Sequence, residues 1–204
     1  MWIKICGMTS ARAVAAALEA GVDALGFVFA DSVRQLTPQA AARLAAPARG
    51  RVRCVAVTRH PAQRALDEIL SVFKPDLLQT DAADFAVLRL PAALERLPVV
   101  RAGESPAALP ARVLFEGPAS GTGRVSDWSA AGALARRSEL VLAGGLNAGN
   151  VAQAIAAVRP FGVDVSSGVE KRPGRKSPTA IAEFVAAVRA VSAASRSAAT
   201  EDSP

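Results

Sequence analysis

Two side chains in this sequence pair acid–base chemistry with a neighbouring glycine at which the backbone can turn close to a ligand. The first is a thiol. The apolar run Ile3-Lys4-Ile5 ends in Cys6-Gly7, and a thiolate at such a point serves as nucleophile or general base. The plain alternative is that Cys6 is a small buried hydrophobe, the usual state of a free cysteine. The second is a carboxylate: Val113-Leu114-Phe115 runs into Glu116-Gly117. Burial would raise the pKa of Glu116 and keep it protonated, as a general acid requires, whereas a solvated strand end would leave it an ordinary anion. Cys54, in the middle of Val52–Val57, reads as core.

Two glycine-bearing turns add an anion site. They are Leu142-Ala143-Gly144-Gly145-Leu146-Asn147 and Asp164-Val165-Ser166-Ser167-Gly168. Free backbone N–H groups in turns of this kind cradle a phosphate. Arg34, in Asp31-Ser32-Val33-Arg34-Gln35, can grip a carboxylate with two parallel hydrogen bonds, although a solvated arginine is the default in so Arg-rich a chain. His60 precedes Pro61 at a predicted helix start and reads as a surface or capping residue. Gly121-Thr122-Gly123 is a loop too short to stand as a nucleotide motif.

The elements that must position these groups alternate regularly. Short apolar runs occur at Trp2–Cys6, Ala24–Phe29, Val52–Val57, Leu77–Gln79, Pro98–Arg101, Val113–Glu116, Leu140–Ala143 and Gly162–Val165. They are mostly apolar throughout, the pattern of parallel strands covered on both faces. Between them lie Ala-rich segments of helical period, Ser10–Ala20, Pro38–Ala46, Pro61–Phe73, Ala83–Leu88, Asp127–Arg136, Ala148–Val158 and Pro178–Ala194, several with capping or proline start signals. One crossover is deficient, because the two prolines of Ala102–Arg112 leave room for a turn of helix at most. Eight such units without a linker predict an α/β fold, a (β/α)8 TIM barrel with the helix after strand 5 shortened or missing, over residues 1–194 as one domain. A doubly wound open sheet is the alternative architecture. Residues 195–204 read as a disordered tail. Barrel sites are built at the C-terminal strand ends, so Cys6, Arg34, Glu116, Gly144, Gly145, Ser166 and Ser167 share one mouth, with Glu116 across it from Cys6.

Composition narrows the function classes. The chain has 204 residues, 51% of them hydrophobic and 21% charged, which excludes global disorder. It lacks an uninterrupted apolar run long enough for a membrane span or a signal peptide, which predicts a cytoplasmic protein. The net charge of +6 admits an anionic partner, but the arginines are scattered and there is no Tyr, so no stacking platform for nucleic acid is expected. A single His excludes mechanisms built on several histidines.

The stretches Lys4–Thr9 (KICGMT), Gly21–Ala41, Ser120–Trp128 (SGTGRVSDW), Leu142–Val151 (LAGGLNAGNV) and Gly162–Pro178 (GVDVSSGVEKRPGRKSP) resemble, in order and over nearly the whole chain, the phosphoribosylanthranilate isomerases of tryptophan biosynthesis. The resemblance implies an Amadori rearrangement of N-(5′-phosphoribosyl)anthranilate to 1-(o-carboxyphenylamino)-1-deoxyribulose 5-phosphate. It implies Cys6 as the base, Glu116 at the position of the acid, Arg34 on the anthranilate carboxylate and Asp164 near the sugar. Gly144, Gly145, Ser166 and Ser167 fall in its phosphate loops. It implies no metal or organic cofactor, a small phosphorylated substrate, no nucleic acid or membrane partner, and a monomer or homodimer. Two departures stand out: the acid is usually Asp in the family, and its Gln-Leu-His-Gly after strand 4 is here Gln79-Thr80-Asp81-Ala82. Two other functions fit parts of the pattern. A histidine-pathway sugar-phosphate isomerase would carry aspartates at the ends of strands 1 and 5 and a second Gly-Gly loop in the first half; strand 1 instead ends in Cys6, and no such loop is found. A non-catalytic phosphate-binding barrel would tolerate the altered stretch after strand 4 but has no need of Cys6 and Glu116 together.

Overall fold

In a computed structural model, which describes residues 1–104, 109–117 and 125–201, the eight apolar runs form one closed parallel barrel. Its strands are β1 (Trp2–Cys6), β2 (Ala24–Val28), β3 (Arg53–Val57), β4 (Leu77–Asp81), β5 (Glu95–Arg101), β6 (Arg112–Glu116), β7 (Glu139–Leu142) and β8 (Gly162–Val165). Each pairs with the next, and β1 closes on β8 with Lys4 opposite Asp164. The open-sheet alternative is thereby excluded.

Side chains alternate across each strand, and the parity decides what each residue does. Ile3, Ile5, Leu25, Cys54, Leu78, Val100, Phe115, Leu140 and Val163 point outward into the main core under the helices. Ala24, Val55, Leu77, Leu97, Val99, Leu114 and Val141 fill the barrel interior. At the N-terminal end, Trp2 and Phe161 stack and the Arg112 guanidinium lies 4.3 Å from the Phe161 ring centroid, closing that mouth. The inward parity then carries Cys6, Gln79, Arg101, Glu116 and Asp164 toward the opposite mouth.

The helices are α1 (Ala11–Ala20), α2 (Pro38–Ala45), α3 (Gln63–Val72), α4 (Trp128–Ala135), α5 (Val151–Val158) and α6 (Pro178–Glu201). Their starts follow local chemistry. Ser10 and Thr37 accept from the N–H groups of Ala13 and Ala40, and the Asp127 carboxylate accepts from Ser129 and Ala130, each capping a first turn that lacks partners. Phe73, at the end of α3, packs against Phe27 and Phe29 with both ring centroids 5.2 Å away. A Phe73→Ala variant is expected to lose about 3–5 kcal/mol of stability by urea unfolding; a loss under ~1 kcal/mol would show that this aromatic cluster does not anchor α3.

Four features differ from the sequence reading. The helix expected at Ala83–Leu88 is a 3-10 turn, Ala82–Ala86. Its Asp84 carboxylate turns inward to accept from Thr80 Oγ1 and the His60 N–H, and Pro91 stops any longer helix. The helix expected from Ala148 begins at Val151, because the Asn147 side chain accepts from the Gly149 and Asn150 N–H groups and makes a turn of its own. A hairpin of β9 (Glu170–Arg172) and β10 (Arg175–Lys176) is additional to the elements expected, although its Pro173-Gly174 turn is a recognisable signal. The crossover between β5 and β6 contains no helix among the described residues. Helix α6 runs to Glu201, past the Ala194 end read from the sequence and through most of the expected tail.

Candidate functional site

A cavity of about 260 Å³ opens at the C-terminal mouth, and Cys6, Arg34, Glu116, Gly144, Gly145, Asp164, Ser166 and Ser167 all line it. The residues expected to catalyse, to hold the substrate and to hold its phosphate therefore border one space. Gly121-Thr122-Gly123 lies outside the described residues. Cys54 is fully buried on the outward face of β3, in the core.

On the β1 side Cys6 is nearly buried, at 8% exposure. Burial pushes its thiol above the ordinary value, the Lys4 ammonium pulls it down, and the Asp164 carboxylate pushes it up again. Lys4 Nζ donates to Asp164 Oδ1 at 2.9 Å inside the barrel.

Arg34 is held in place from the hairpin. Its Nε and Nη2 donate to Glu170 Oε1 and Oε2, both at 2.8 Å, the planar bidentate match of guanidinium and carboxylate. Lys176 Nζ donates to the same Glu170 Oε1 at 2.8 Å and to the Ser166 carbonyl at 2.9 Å. Burial alone would raise the Glu170 carboxyl, but the hydrogen bonds from Arg34 and Lys176 overcome it and hold Glu170 below the usual carboxylate range. Asp84 is likewise lowered against its burial, by Thr80 and His60. A carboxylate depressed in the folded state stabilises the fold above its unfolded pKa and loses that contribution as pH falls through the folded pKa. Stability is therefore expected to hold down to the ordinary values of 4.5 and 3.8 and to fall below them. Urea unfolding from pH 7 to pH 3 checks this: Glu170→Gln should flatten the acid limb, and an unchanged limb would remove Glu170 from it.

The loops after β7 and β8 meet beside this network. Gly144 and Gly145 have φ of +93° and +65°, left-handed conformations that glycine adopts without strain. They turn the backbone back over the mouth. The Ser166 hydroxyl donates to the Cys6 carbonyl at 3.1 Å, tying the end of β8 to the end of β1, and a 3-10 turn at Ser167–Val169 follows at once.

Glu116 departs from the expectation of an apolar pocket. Its Oε1 accepts from Arg101 Nη1 at 2.5 Å, while Arg101 Nη2 donates to Asp81 Oδ1 at 2.5 Å. The longer glutamate side chain reaches the guanidinium at the end of β5, so it sits in an ion pair rather than among hydrocarbon. Asp81 then meets His60 Nε2 at 3.1 Å, and His60 Nδ1 meets Asp84 at 2.8 Å. His60 is a surface residue, its side chain 61% exposed, and it ends a chain of polar contacts that runs from Glu116 through Arg101 and Asp81. The altered Thr80-Asp81-Ala82 stretch supplies its middle link. Gln79, buried and lining the cavity, has Oε1 without a hydrogen-bond partner among the described residues. The sequence reading gave no role to Lys4, Arg101, Glu170 or Lys176; the signal available was their charge at inward or turn positions of otherwise apolar segments.

Fold and pocket together define a (β/α)8 barrel with a cavity at its C-terminal mouth, lined by a thiol, a carboxylate and two glycine- and serine-bearing loops. The family model described as N-(5′-phosphoribosyl)anthranilate (PRA) isomerase matches residues 3–187. The N-(5′-phosphoribosyl)anthranilate isomerase of Azorhizobium caulinodans is 39% identical over 214 aligned positions, covering 95% of this chain and 94% of that protein. The crystal structure of TrpF from Jonesia denitrificans is 34% identical, with TM-score 0.79 over 94% of this chain and 98% of that one. A phosphoribosylanthranilate isomerase solved with reduced 1-(o-carboxyphenylamino)-1-deoxyribulose 5-phosphate is 28% identical, with TM-score 0.77 over 93% and 99%. The chain belongs to the N-(5′-phosphoribosyl)anthranilate isomerase family.

Proposed function

We propose that this chain isomerises N-(5′-phosphoribosyl)anthranilate to 1-(o-carboxyphenylamino)-1-deoxyribulose 5-phosphate in tryptophan biosynthesis, in the cytoplasm, by acid–base catalysis between Glu116 and Cys6. The observation that carries the reading is the single cavity with these two groups on its wall and the loops after β7 and β8 beside them, in a chain of this family.

The phosphate rests on the backbone of Gly144, Gly145, Ser166 and Ser167. The anthranilate carboxylate takes the Nη1 edge of Arg34, whose other edge is committed to Glu170. Asp164 faces the sugar. Glu116 gives a proton to the ribose ring oxygen as the C1′–O bond breaks, leaving a protonated Schiff base. Cys6 thiolate takes the C2′ proton, and the electrons of that bond form the enolamine and neutralise the iminium nitrogen. Protonation at C1′ and loss of the O2′ proton then give the ketone. No step requires an oxidant or a co-substrate. For Glu116 to act as acid, its bond to Arg101 has to yield; because Arg101 is shared with Asp81, the guanidinium can lean on Asp81 as Glu116 takes up a proton.

The test sets turnover beside binding. With EDTA present, purified protein is expected to consume phosphoribosylanthranilate, followed by loss of its fluorescence, and to bind the product. Binding without turnover would identify a non-catalytic barrel and overturn the proposal.

A further inference from the structure

The mechanism leaves unused one charged group at the centre of the barrel. Lys4 is completely buried, at 0% exposure. An ammonium there is costly unless it is paired, so its surroundings explain why it is kept. Residues two apart on a strand share a face, which puts Lys4 directly beneath Cys6 on the interior of β1. The β1–β8 register sets Lys4 opposite Asp164, and Nζ donates to Oδ1 at 2.9 Å. The β1–β2 register sets Cys6 opposite Gly26. A Cβ at position 26 would lie 3.0 Å from Cys6 Sγ and 3.2 Å from Lys4 Cε. Three strands thus cooperate: β1 supplies cation and thiol, β8 the counter-ion, and β2 the empty volume in which the two side chains meet.

Resting on the reading of Cys6 as base, we infer that Lys4 is a positioning residue that orients the Cys6 side chain and stabilises its thiolate, with Asp164 holding the ammonium at the right height. Of the charges around Cys6, Asp164 on β8 opposes the thiolate, and Lys176 on β10 favours it together with Lys4. Arg34, from the loop after β2, also carries positive charge toward Cys6. Lys4 is the strongest of the favourable charges. Its ammonium is favoured in the charged form, against burial, by Asp164 and Cys6 themselves.

The experiment is the pH dependence of iodoacetamide alkylation at Cys6, read by peptide mass spectrometry so that Cys54 is scored separately, in wild type and Lys4→Met. The alkylation midpoint should move upward in Lys4→Met, and the pH profile of kcat should move with it. At a fixed pH below the midpoint, a midpoint one pH unit higher lowers kcat about tenfold, while KM stays within about threefold. An unchanged midpoint in a variant with the native circular dichroism spectrum would overturn the inference. Should Lys4→Met fail to fold because Asp164 is left unpaired, the double variant Lys4→Met/Asp164→Asn removes that charge as well. Its midpoint is read against that of Asp164→Asn alone, so that only Lys4 differs, and is expected to lie higher; an equal or lower midpoint again refutes the role. A raised midpoint in Lys4→Met, in a protein whose wild type shows no turnover, would leave the Lys4 assignment standing and remove the isomerase reading instead.

Discussion

Replacing Cys6 by serine is expected to cut kcat by about 10²–10⁴-fold, the range usual for loss of a positioned general base, with KM changed little. The hydroxyl is isosteric enough to fit beside Gly26 and Ser166, so the packing at the mouth survives and the deficit falls on the chemical step. Serine is far less acidic than cysteine, and the buried ammonium of Lys4 does not bring a hydroxyl into the range of a working base. A stopped-flow or steady-state fluorescence assay reads the effect, with thermal unfolding to show that the variant is folded. Turnover within about threefold of wild type would remove Cys6 from the mechanism.

Glu116→Gln should be comparably damaging, by about 10²-fold or more in kcat. The amide keeps the shape but has no proton to give to the ring oxygen. Arg101 stays anchored, because Asp81 Oδ1 still accepts from Nη2 at 2.5 Å, so the mouth is not expected to collapse. Glu116→Asp separates chemistry from reach. It keeps a carboxylate but shortens the side chain by one methylene, so the bond to Arg101 weakens. Partial activity in Asp with almost none in Gln is the expected pattern. Near-normal turnover in Glu116→Gln would mean that another group protonates the substrate.

How much of the molecule is legible in its sequence follows from what each signal reports. Unbroken apolar runs such as Val113–Phe115 and Leu140–Leu142 mark strands covered on both faces, and glycines or caps mark the turns, so the eight-fold repeat emerges from local patterning. Residues at strand ends are legible for the same reason, because a barrel concentrates them at one mouth. Cys6, Glu116 and the Gly144-Gly145 turn stand out this way. Pairwise electrostatics do not. The partner of Glu116 is Arg101, on the neighbouring strand, and the partner of Arg34 is Glu170, far away in sequence; neither spacing is encoded in a short window. Lys4 is the sharpest case. A lysine inside an apolar strand carries no mark of its partner, and only the closure of β1 on β8 shows it facing Asp164 in the interior. The turn at Ala82–Ala86 misleads for a related reason: its alanines favour helix, but tertiary hydrogen bonds to Asp84 decide its path.

The most direct test of the proposed reaction is product identity. Wild-type protein is incubated with N-(5′-phosphoribosyl)anthranilate and EDTA, and the mixture is resolved by mass and by proton NMR. The expected product has unchanged mass and an intact phosphate, with the C2′ proton signal lost and a ketose in place of the ribosyl ring. Free anthranilate as the sole product, or unaltered substrate at high protein concentration, would contradict the isomerase reading.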